Sequence, residues 1–200
     1  MSRGFGQSGF GGGFSSYSTD SVTSFGVHGY DNSFSSNEGQ SGGFGYGRGL
    51  YFSDESLSVS DEEAQSLLYM IEEEKMAHDI YTELYEQTGL EEFATIGESE
   101  QRHYDKLLFT AERLDVDTSS LSTEAGVFAN EDIQNLYDTL MSEASASTEA
   151  AVNVAISIEQ SDIADLELTA DNTDVVLLGQ VYSCLENASL NHLEAFENIA

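Results

Sequence analysis

Three consecutive carboxylates, Glu72 to Glu74, stand inside a segment whose apolar residues otherwise recur at helical spacing. This apolar stripe consists of Leu67, Met70, Ile71, Ala77, Tyr81 and Leu84, and position 74 lies three or four residues from Ile71, Met70 and Ala77. Glu74 falls on the stripe, whereas Glu72 and Glu73 are expected on a solvated face or just behind a site. A carboxylate on a buried stripe is costly unless it is paired, protonated or bound to a metal ion. The segment therefore predicts that other helices bring partners to Glu74.

Caps and periodicity predict four long helices and one short helix in the second part of the chain. Ser60 opens the first helix with a capping box, and Gly89 ends it. In chain order, the predicted helices span about residues 60–88, 91–114, 131–143, 148–169 and 173–199. The helix over 131–143 is the short one, and it follows a loop. The pattern predicts an all-α domain.

Each of the other three long helices also carries polar residues on its apolar stripe. They are Glu100 and His103, then Glu159 with Asp162 at the margin of the stripe, then Ser189 and His192. Residues at i and i+3 share a helix face. A carboxylate bundle that binds two metal ions takes one Glu from each of two helices and Glu-x-x-His from each of the other two. The order in this chain is that pattern with one ligand changed.

Four motifs follow one another along the second part of the chain. They are Glu73-Glu74-Lys75 with Ala77, Asp79 and Tyr81; Ser99-Glu100-x-x-His103; Ile158-Glu159-x-x-Asp162-Ile163-x-Asp165-Leu166; and Ser189-x-Asn191-His192-Leu193-x-Ala195-Phe196. With these motifs, residues 60–200 resemble the ferritin-like superfamily, closest to an uncharacterised branch of single-domain ferritin-like proteins. The resemblance implies an up-down four-helix bundle with one extra short helix. It also implies a dinuclear site, usually of iron, with manganese or another divalent metal as the alternative. The implied ligands are Glu74, Glu100, His103, Glu159 and His192.

Ser189 departs from the ferritin-like pattern. Ferritins and rubrerythrin-like proteins have the Glu of the last Glu-x-x-His at this position, and serine is a poor ligand for iron. Three outcomes stay open: Asp162 supplies the missing carboxylate, one metal ion is weakly held, or the site is mononuclear. Asp162 is therefore a sixth candidate ligand. The sequence has no Cys-x-x-Cys pair for a rubredoxin-type centre.

A metal-free polar core is the alternative to metal binding. A histidine on an apolar stripe is often a hydrogen-bonded core residue, but two of them beside three stripe carboxylates favour a metal site. Tyr81 is expected in the core, where it could also donate a hydrogen bond at the site. We interpret His78 as facing a partner or solvent, and Cys184 as a small buried residue.

The first 57 residues differ in composition from the remainder. They hold 14 of the 18 glycines, together with an aromatic residue every few positions among Gly and Ser. Residues 58–200 are long enough to bury a core of their own. Two interpretations of the first part stay open: a flexible tail, or a self-association segment over residues 1–52 whose aromatic side chains join copies of the chain. Within it, residues 17–27 alternate well enough to pair as a strand with another chain.

The charge limits the partners that we expect. The chain has 37 acidic and 6 basic residues, for a net charge of −31, and most of the negative charge lies after residue 57. Nucleic acid and anionic membrane surfaces are unexpected partners because phosphates would be repelled, whereas metal cations are natural ones. Adaptation to high salt would also produce such a surface.

The single cysteine excludes an intramolecular disulfide. No apolar run is long enough to span a bilayer, and the N-terminus lacks the apolar core of a signal peptide. We therefore expect a cytoplasmic protein, with extracellular assembly left open.

Two functions fit these patterns. In the first, Fe(II) binds between the helices and is oxidised by dioxygen or peroxide; the sequence leaves open whether this makes the protein an enzyme. In the second, the chain is a filament-type subunit that forms homo-oligomers through residues 1–52, and its metal site is structural or lost. The two hypotheses are compatible.

Overall fold

The computed structural model describes residues 58–200, which form five α-helices and no strand. The helices are α1 (Asp61–Thr88), α2 (Glu91–Arg113), α3 (Glu131–Ala144), α4 (Thr148–Asp171) and α5 (Val176–Glu197). This confirms the predicted all-helical class. The low-complexity segment over residues 1–57, with its predicted self-association, lies outside the described residues. None of the five helices has both the length and the apolar character that a bilayer crossing requires.

The ends of α1 follow the predicted caps. The Ser60 hydroxyl accepts a hydrogen bond from the Glu63 N–H, while the Glu63 carboxylate accepts one from the Ser60 N–H. Gly89 has φ 70°, the left-handed conformation that glycine adopts without steric cost, and its N–H donates to the Tyr85 carbonyl oxygen. The capping box and the glycine thus set the length of α1.

Helix α5 begins at Val176, three residues later than the sequence predicts. The Thr173 hydroxyl donates to a Glu63 carboxylate oxygen at 2.8 Å, and the Asp174 N–H donates to the same oxygen at 3.1 Å. The Thr173 hydroxyl also accepts a hydrogen bond from the Val175 N–H. Since these bonds tie the segment to the start of α1, residues 173–175 stay outside the helix.

The four long helices contact one another in a closed ring, in which α1 and α5 each pack against both α2 and α4. Neighbouring helices are antiparallel, because residues late in one face residues early in the next. The contacts are Tyr81–Gly97 and Glu74–His103 between α1 and α2, and Glu159–His192 and Asp162–Ser189 between α4 and α5. The contacts Glu100–His192 and Lys106–Cys184 make α2 antiparallel to α5 as well, so α2 and α4 run in the same direction. The predicted up-down order is therefore wrong, because the four long helices run up, down, down and up. The connection that contains α3 crosses between α2 and α4.

Two apolar clusters fill the two ends of this ring. One includes Tyr81, Phe93 and Phe196, and the other includes Leu107 and Tyr182. The polar stripe residues of all four long helices fall between these clusters. The predicted stripes of α1 and α2 are confirmed, since all of their residues are buried.

The stripe that helical spacing predicts for α4 is partly wrong, and it consists of Val152, Ile156, Glu159, Ile163 and Leu166. Ile156 and Ile163 are only half-buried. Ala155, Ile158 and Asp162 are buried instead, so the face of α4 that meets its neighbours is rotated from the predicted one.

Candidate metal centre

The layer between the two apolar clusters brings together five predicted ligands, which we call the candidate metal centre. They are Glu74 from α1, Glu100 and His103 from α2, Glu159 from α4 and His192 from α5. The three carboxylates are at most 2% exposed. Burial of three carboxylates in one layer is costly without compensating charge.

Glu100 is the shared residue of the centre. Its Oε2 lies 2.8 Å from His103 Nδ1, and its Oε1 lies 2.7 Å from His192 Nδ1. Glu74 Oε2 lies 3.2 Å from the same nitrogen of His103, and Glu159 Oε2 lies 3.6 Å from that of His192. Two groups of three ligands result, Glu74–Glu100–His103 and Glu100–Glu159–His192, and in each group the ligand atoms lie within 4.8 Å of one another. One carboxylate therefore serves two potential cation sites.

Several atoms of the centre are buried without a hydrogen-bond partner. Glu100 Oε1 and His192 Nδ1 are 2.7 Å apart, yet neither makes a hydrogen bond of acceptable geometry, and Glu74 Oε1 also has no partner. Unpartnered polar atoms are rare in protein interiors. Carboxylate oxygen and imidazole nitrogen are both common metal ligands, so these atoms could share a cation.

The two histidines set the ionisation of Glu100. Burial raises the pKa of Glu100, but the adjacent imidazoles of His103 and His192 outweigh burial and lower it to about 2. Burial lowers the pKa of His192, but its contacts with Glu100 and Glu159 raise it to about 10. Glu100 is thus the residue of the centre that is best stabilised as an anion.

The other carboxylates favour their protonated forms. Burial raises the pKa of Glu159 to about 7, and it raises the pKa values of Glu74 and Asp162 well above their usual range. Nearby carboxylates add to these shifts through repulsion. Protons or metal cations can relieve this repulsion, and metal binding releases the protons.

Asp162 lies beside Ser189, the residue that replaces the expected Glu. Asp162 is 5% exposed, so its predicted place at the margin of the stripe is wrong. The Ser189 hydroxyl donates to the Leu185 carbonyl oxygen at 3.1 Å, and it also lowers the otherwise raised pKa of Asp162. Asp162 Oδ1 has no hydrogen-bond partner. Asp162 belongs to neither of the two ligand groups, so the structure brings it near the centre without joining it to them.

Tyr81 connects the candidate metal centre to the apolar cluster that includes Phe93 and Phe196. Its hydroxyl donates to Glu159 Oε1 at 2.7 Å, and its ring packs against Phe93 and Phe196. This hydrogen bond leaves Glu159 Oε2 facing His192. Tyr81 is therefore a core residue, as expected, and its hydroxyl also orients one of the candidate ligands.

A second polar cluster on α1 was missed from the sequence, and we call it the loop clamp. It consists of Glu72, Lys75 and Asp79, which are all buried. The expected solvated face for Glu72 and Glu73 is therefore wrong, because these residues are 4% and 2% exposed. The i, i+4 spacing of the oppositely charged Lys75 and Asp79 is the signal that could have found the clamp.

The loop clamp fastens the segment before α3 to α1. Lys75 Nζ donates to Asp79 Oδ2 at 2.7 Å and to the Glu124 carbonyl oxygen at 2.8 Å. Asp79 also accepts a hydrogen bond from the Gly126 N–H at 2.9 Å. Glu72 accepts hydrogen bonds from two successive N–H groups, those of Ala129 and Asn130.

Two further predictions concern residues outside the centre. His78 is half-buried and its Nδ1 lies 2.8 Å from the Gly97 carbonyl oxygen, so it joins α1 to α2 and belongs to neither ligand group. The predicted burial of Cys184 is wrong, since Cys184 is exposed and its Sγ lies 3.0 Å from Lys106 Nζ.

Comparison with known proteins places this chain in a family. A family model described as "Uncharacterized protein domain (DUF2202)" matches residues 63–199, which include all five ligands. The chain is 38% identical to "Uncharacterized protein MJ0754" of Methanocaldococcus jannaschii over 138 residues, which cover 69% of this chain and 75% of that protein. The crystal structure of hypothetical protein MJ0754 from Methanococcus jannaschii is similar with a TM-score of 0.69 and 37% identity, over 70% of this chain and 81% of that one. The chain belongs to the DUF2202 family.

Proposed function

We propose that residues 58–200 are a ferritin-like four-helix domain that binds two divalent metal ions, with iron as the first candidate. The observation that carries the proposal is the position of Glu100, whose two oxygens each face a different histidine at 2.7–2.8 Å. The closed ring of antiparallel helices with a single crossover supports it, because ferritin-like bundles have one such connection.

The donor set fits a carboxylate-bridged pair of ions. Glu74 and His103 would hold one ion, Glu159 and His192 the other, and Glu100 would bridge them. Carboxylate and imidazole ligands suit Fe(II) and also Mn(II). The unpartnered buried atoms of Glu74, Glu100 and His192 support this assignment, because a cation would satisfy them.

Fe(II) held at the centre would give electrons to dioxygen or peroxide and would itself be oxidised. We propose this oxidation as the chemistry of the centre. The protein residues prepare the site for this chemistry. The apolar clusters on both sides keep bulk water out, and the Tyr81 hydroxyl fixes the orientation of Glu159. Ser189 supplies no carboxylate, so fewer protein ligands surround the ions, and small molecules could bind in the remaining positions.

The test is reconstitution of the purified protein with Fe(II) without oxygen, followed by elemental analysis and optical detection of oxidation on adding air. We expect about two iron ions per chain. The double variant His103→Ala/His192→Ala should lose iron, whereas His78→Ala should keep it, because His78 lies outside both ligand groups. Absence of iron uptake would overturn metal binding. Oxidation no faster than in the double variant would overturn the redox function.

A second proposal concerns assembly and is supported by the composition of residues 1–52. Their glycine content and regularly spaced aromatic residues favour association between copies of the chain, so that the protein would act as a filament-type structural subunit. We expect deletion of residues 1–52 to reduce particle size in light scattering. An unchanged particle size would overturn this proposal.

A further inference from the structure

Helix α4 presents one carboxylate at each turn between the protein surface and the candidate metal centre. These are Asp165, Asp162 and Glu159, which are three residues apart, about 4.5 Å along the helix axis. Their burial increases inward: Asp165 is half-buried, Asp162 is 5% exposed and Glu159 is 1% exposed. Only Glu159 belongs to a ligand group.

Glu73 of α1 faces this row of carboxylates. Glu73 is 2% exposed, and its Oε2 has no hydrogen-bond partner. Burial raises the pKa of Glu73 well above its usual range, and the nearby carboxylates of Asp162 and Asp165 raise it further. Glu73 therefore lies near both the outer and the inner aspartate.

The outer end of the row opens to solvent. Asp165 lines a surface cavity of about 370 Å³, together with Tyr69, Met70 and Asn130. Met70 precedes Glu73 by one helical turn, so the cavity lies next to Glu73 along α1. Lys75, the next basic residue along α1, bonds to Asp79 and to the Glu124 carbonyl oxygen and is not free to neutralise Glu73.

We propose that Asp165, Glu73 and Asp162 form an uptake route along which divalent cations pass from this cavity into the candidate metal centre. The inference rests on the proposed metal-binding function and adds the path by which the ions arrive. Carboxylates lining a cleft raise the local cation concentration. Their oxygens also replace the water molecules that a cation loses on moving inward. The unpartnered atoms Glu73 Oε2 and Asp162 Oδ1 are available for this exchange.

The experiment compares the rates of Co(II) uptake by full-length wild-type protein, Asp165→Asn and Glu73→Gln, followed by stopped-flow absorption. Both substitutions keep the side-chain size and replace a carboxyl group by an amide, which cannot become an anion. We expect each variant to bind Co(II) about tenfold more slowly than wild type. The final amount of Co(II) per chain, measured by elemental analysis, should not change. Glu167→Gln is the matched control, because Glu167 is an exposed acid on the same helix.

Each alternative outcome overturns the uptake route in a recognisable way. Wild-type rates in Asp165→Asn and Glu73→Gln would refute the route while the proposed metal binding stands. If Glu167→Gln slowed Co(II) uptake by the same factor, the rate would depend on general attraction of cations by surface charge and not on this route. A reduced final Co(II) content would make Glu73 or Asp165 a ligand and not part of a path. No uptake by the wild type would refute the proposed function together with the route.

Discussion

Helix α1 carries two buried charged clusters that differ in how their charges are satisfied. In the loop clamp, Lys75 pairs with Asp79, and Glu72 accepts two backbone hydrogen bonds. In the candidate metal centre, the carboxylates of Glu74 and Glu100 each keep an oxygen without a hydrogen-bond partner. The two clusters overlap in sequence but face different neighbours of the helix.

The comparison shows that burial of charge alone does not identify a functional site. The loop clamp is complete as it stands, because its charges meet opposite charges or backbone donors; it joins a long connection to the helix ring. The candidate metal centre concentrates carboxylates that repel one another, and it lacks internal donors for several of its atoms. Unsatisfied buried groups of this kind are typical of sites that bind a ligand.

The sharpest test of this difference replaces one carboxylate in each cluster. Glu100→Gln should remove the bridge between the two ligand groups, and the metal content should fall from about two ions per chain to fewer than one. Glu72→Gln should keep the wild-type metal content, since Glu72 bonds to the loop. Elemental analysis after reconstitution measures both. Equal metal loss in the two variants would show that metal binding responds to the loss of any buried carboxylate, and not to the loss of the bridging one.

Removal of the one positive charge in the loop clamp should reduce stability without involving metal. Lys75→Met leaves Asp79 buried without its ion pair, so we expect the free energy of unfolding to fall by about 4 kcal/mol. Lys106→Met is the matched control, because Lys106 contacts the exposed Cys184, and it should change stability by less than about 0.5 kcal/mol. Chemical denaturation measures both variants. If added metal ions restored the stability of Lys75→Met, the two clusters would not be independent.

The pH dependence should distinguish metal-free from metal-loaded protein. In the folded metal-free protein, burial raises the pKa of Glu159 from 4.5 to about 7. The chain therefore takes up protons when it folds between these pH values, and its stability falls as the pH rises from 4.5 to about 7. The shift of Glu159 alone corresponds to about 3 kcal/mol. The raised pKa values of Glu74 and Asp162 act in the same direction. The raised pKa of His192, about 10, extends the loss above pH 6.5.

We therefore expect metal-free protein to be less stable at pH 8 than at pH 5 in urea denaturation with a chelator present. Protein loaded with divalent metal should lose this difference or reverse it, because the metal takes the place of the protons. The lowered pKa of Glu100 acts only below about pH 4.5, outside this range. Greater stability of the metal-free protein at pH 8 would contradict the assigned ionisation of the centre.

Local patterns predicted the helices well where the evidence is local. The capping box at Ser60 and the left-handed Gly89 are short-range features, and both fix helix ends in the structure. Glu100 and His103 share a face because of helical geometry alone. The five candidate ligands follow from such positions together with the resemblance to ferritin-like proteins.

The failures have long-range causes. Helix α1 contacts α2, α3 and α4, so its middle has little solvated surface. Glu72 and Glu73 are therefore buried, although a single apolar stripe predicts that they lie outside the buried face. Asp79 is held by Gly126, 47 residues later in the chain, and such a contact has no periodic signal. The sequence predicts Asp162 at the margin of the stripe because the predicted stripe passes through Ile156 and Ile163. In the structure, the packed face of α4 is rotated toward Ala155, so Asp162 is buried.

The smallest expected effect tests the contact through which Tyr81 orients the centre. Tyr81→Phe removes the 2.7 Å hydrogen bond to Glu159 but keeps the ring packed on Phe93 and Phe196. Loss of a bond that orients a ligand should weaken metal affinity about tenfold. The free energy of unfolding should fall by about 1 kcal/mol, the contribution of one buried hydrogen bond. Titration of metal-free protein with Mn(II) would measure the affinity.

Tyr182→Phe provides a matched control for Tyr81→Phe. Both tyrosines are fully buried, but the Tyr182 hydroxyl has no hydrogen-bond partner and lies in the other apolar cluster. Removal of an unsatisfied hydroxyl should leave metal affinity unchanged and should maintain or raise stability. Equal affinities in the two variants would mean that Tyr81 only fills space. A loss confined to Tyr81→Phe would show that the hydrogen bond to Glu159 acts on the metal ions, since burial and side-chain type are the same in both variants.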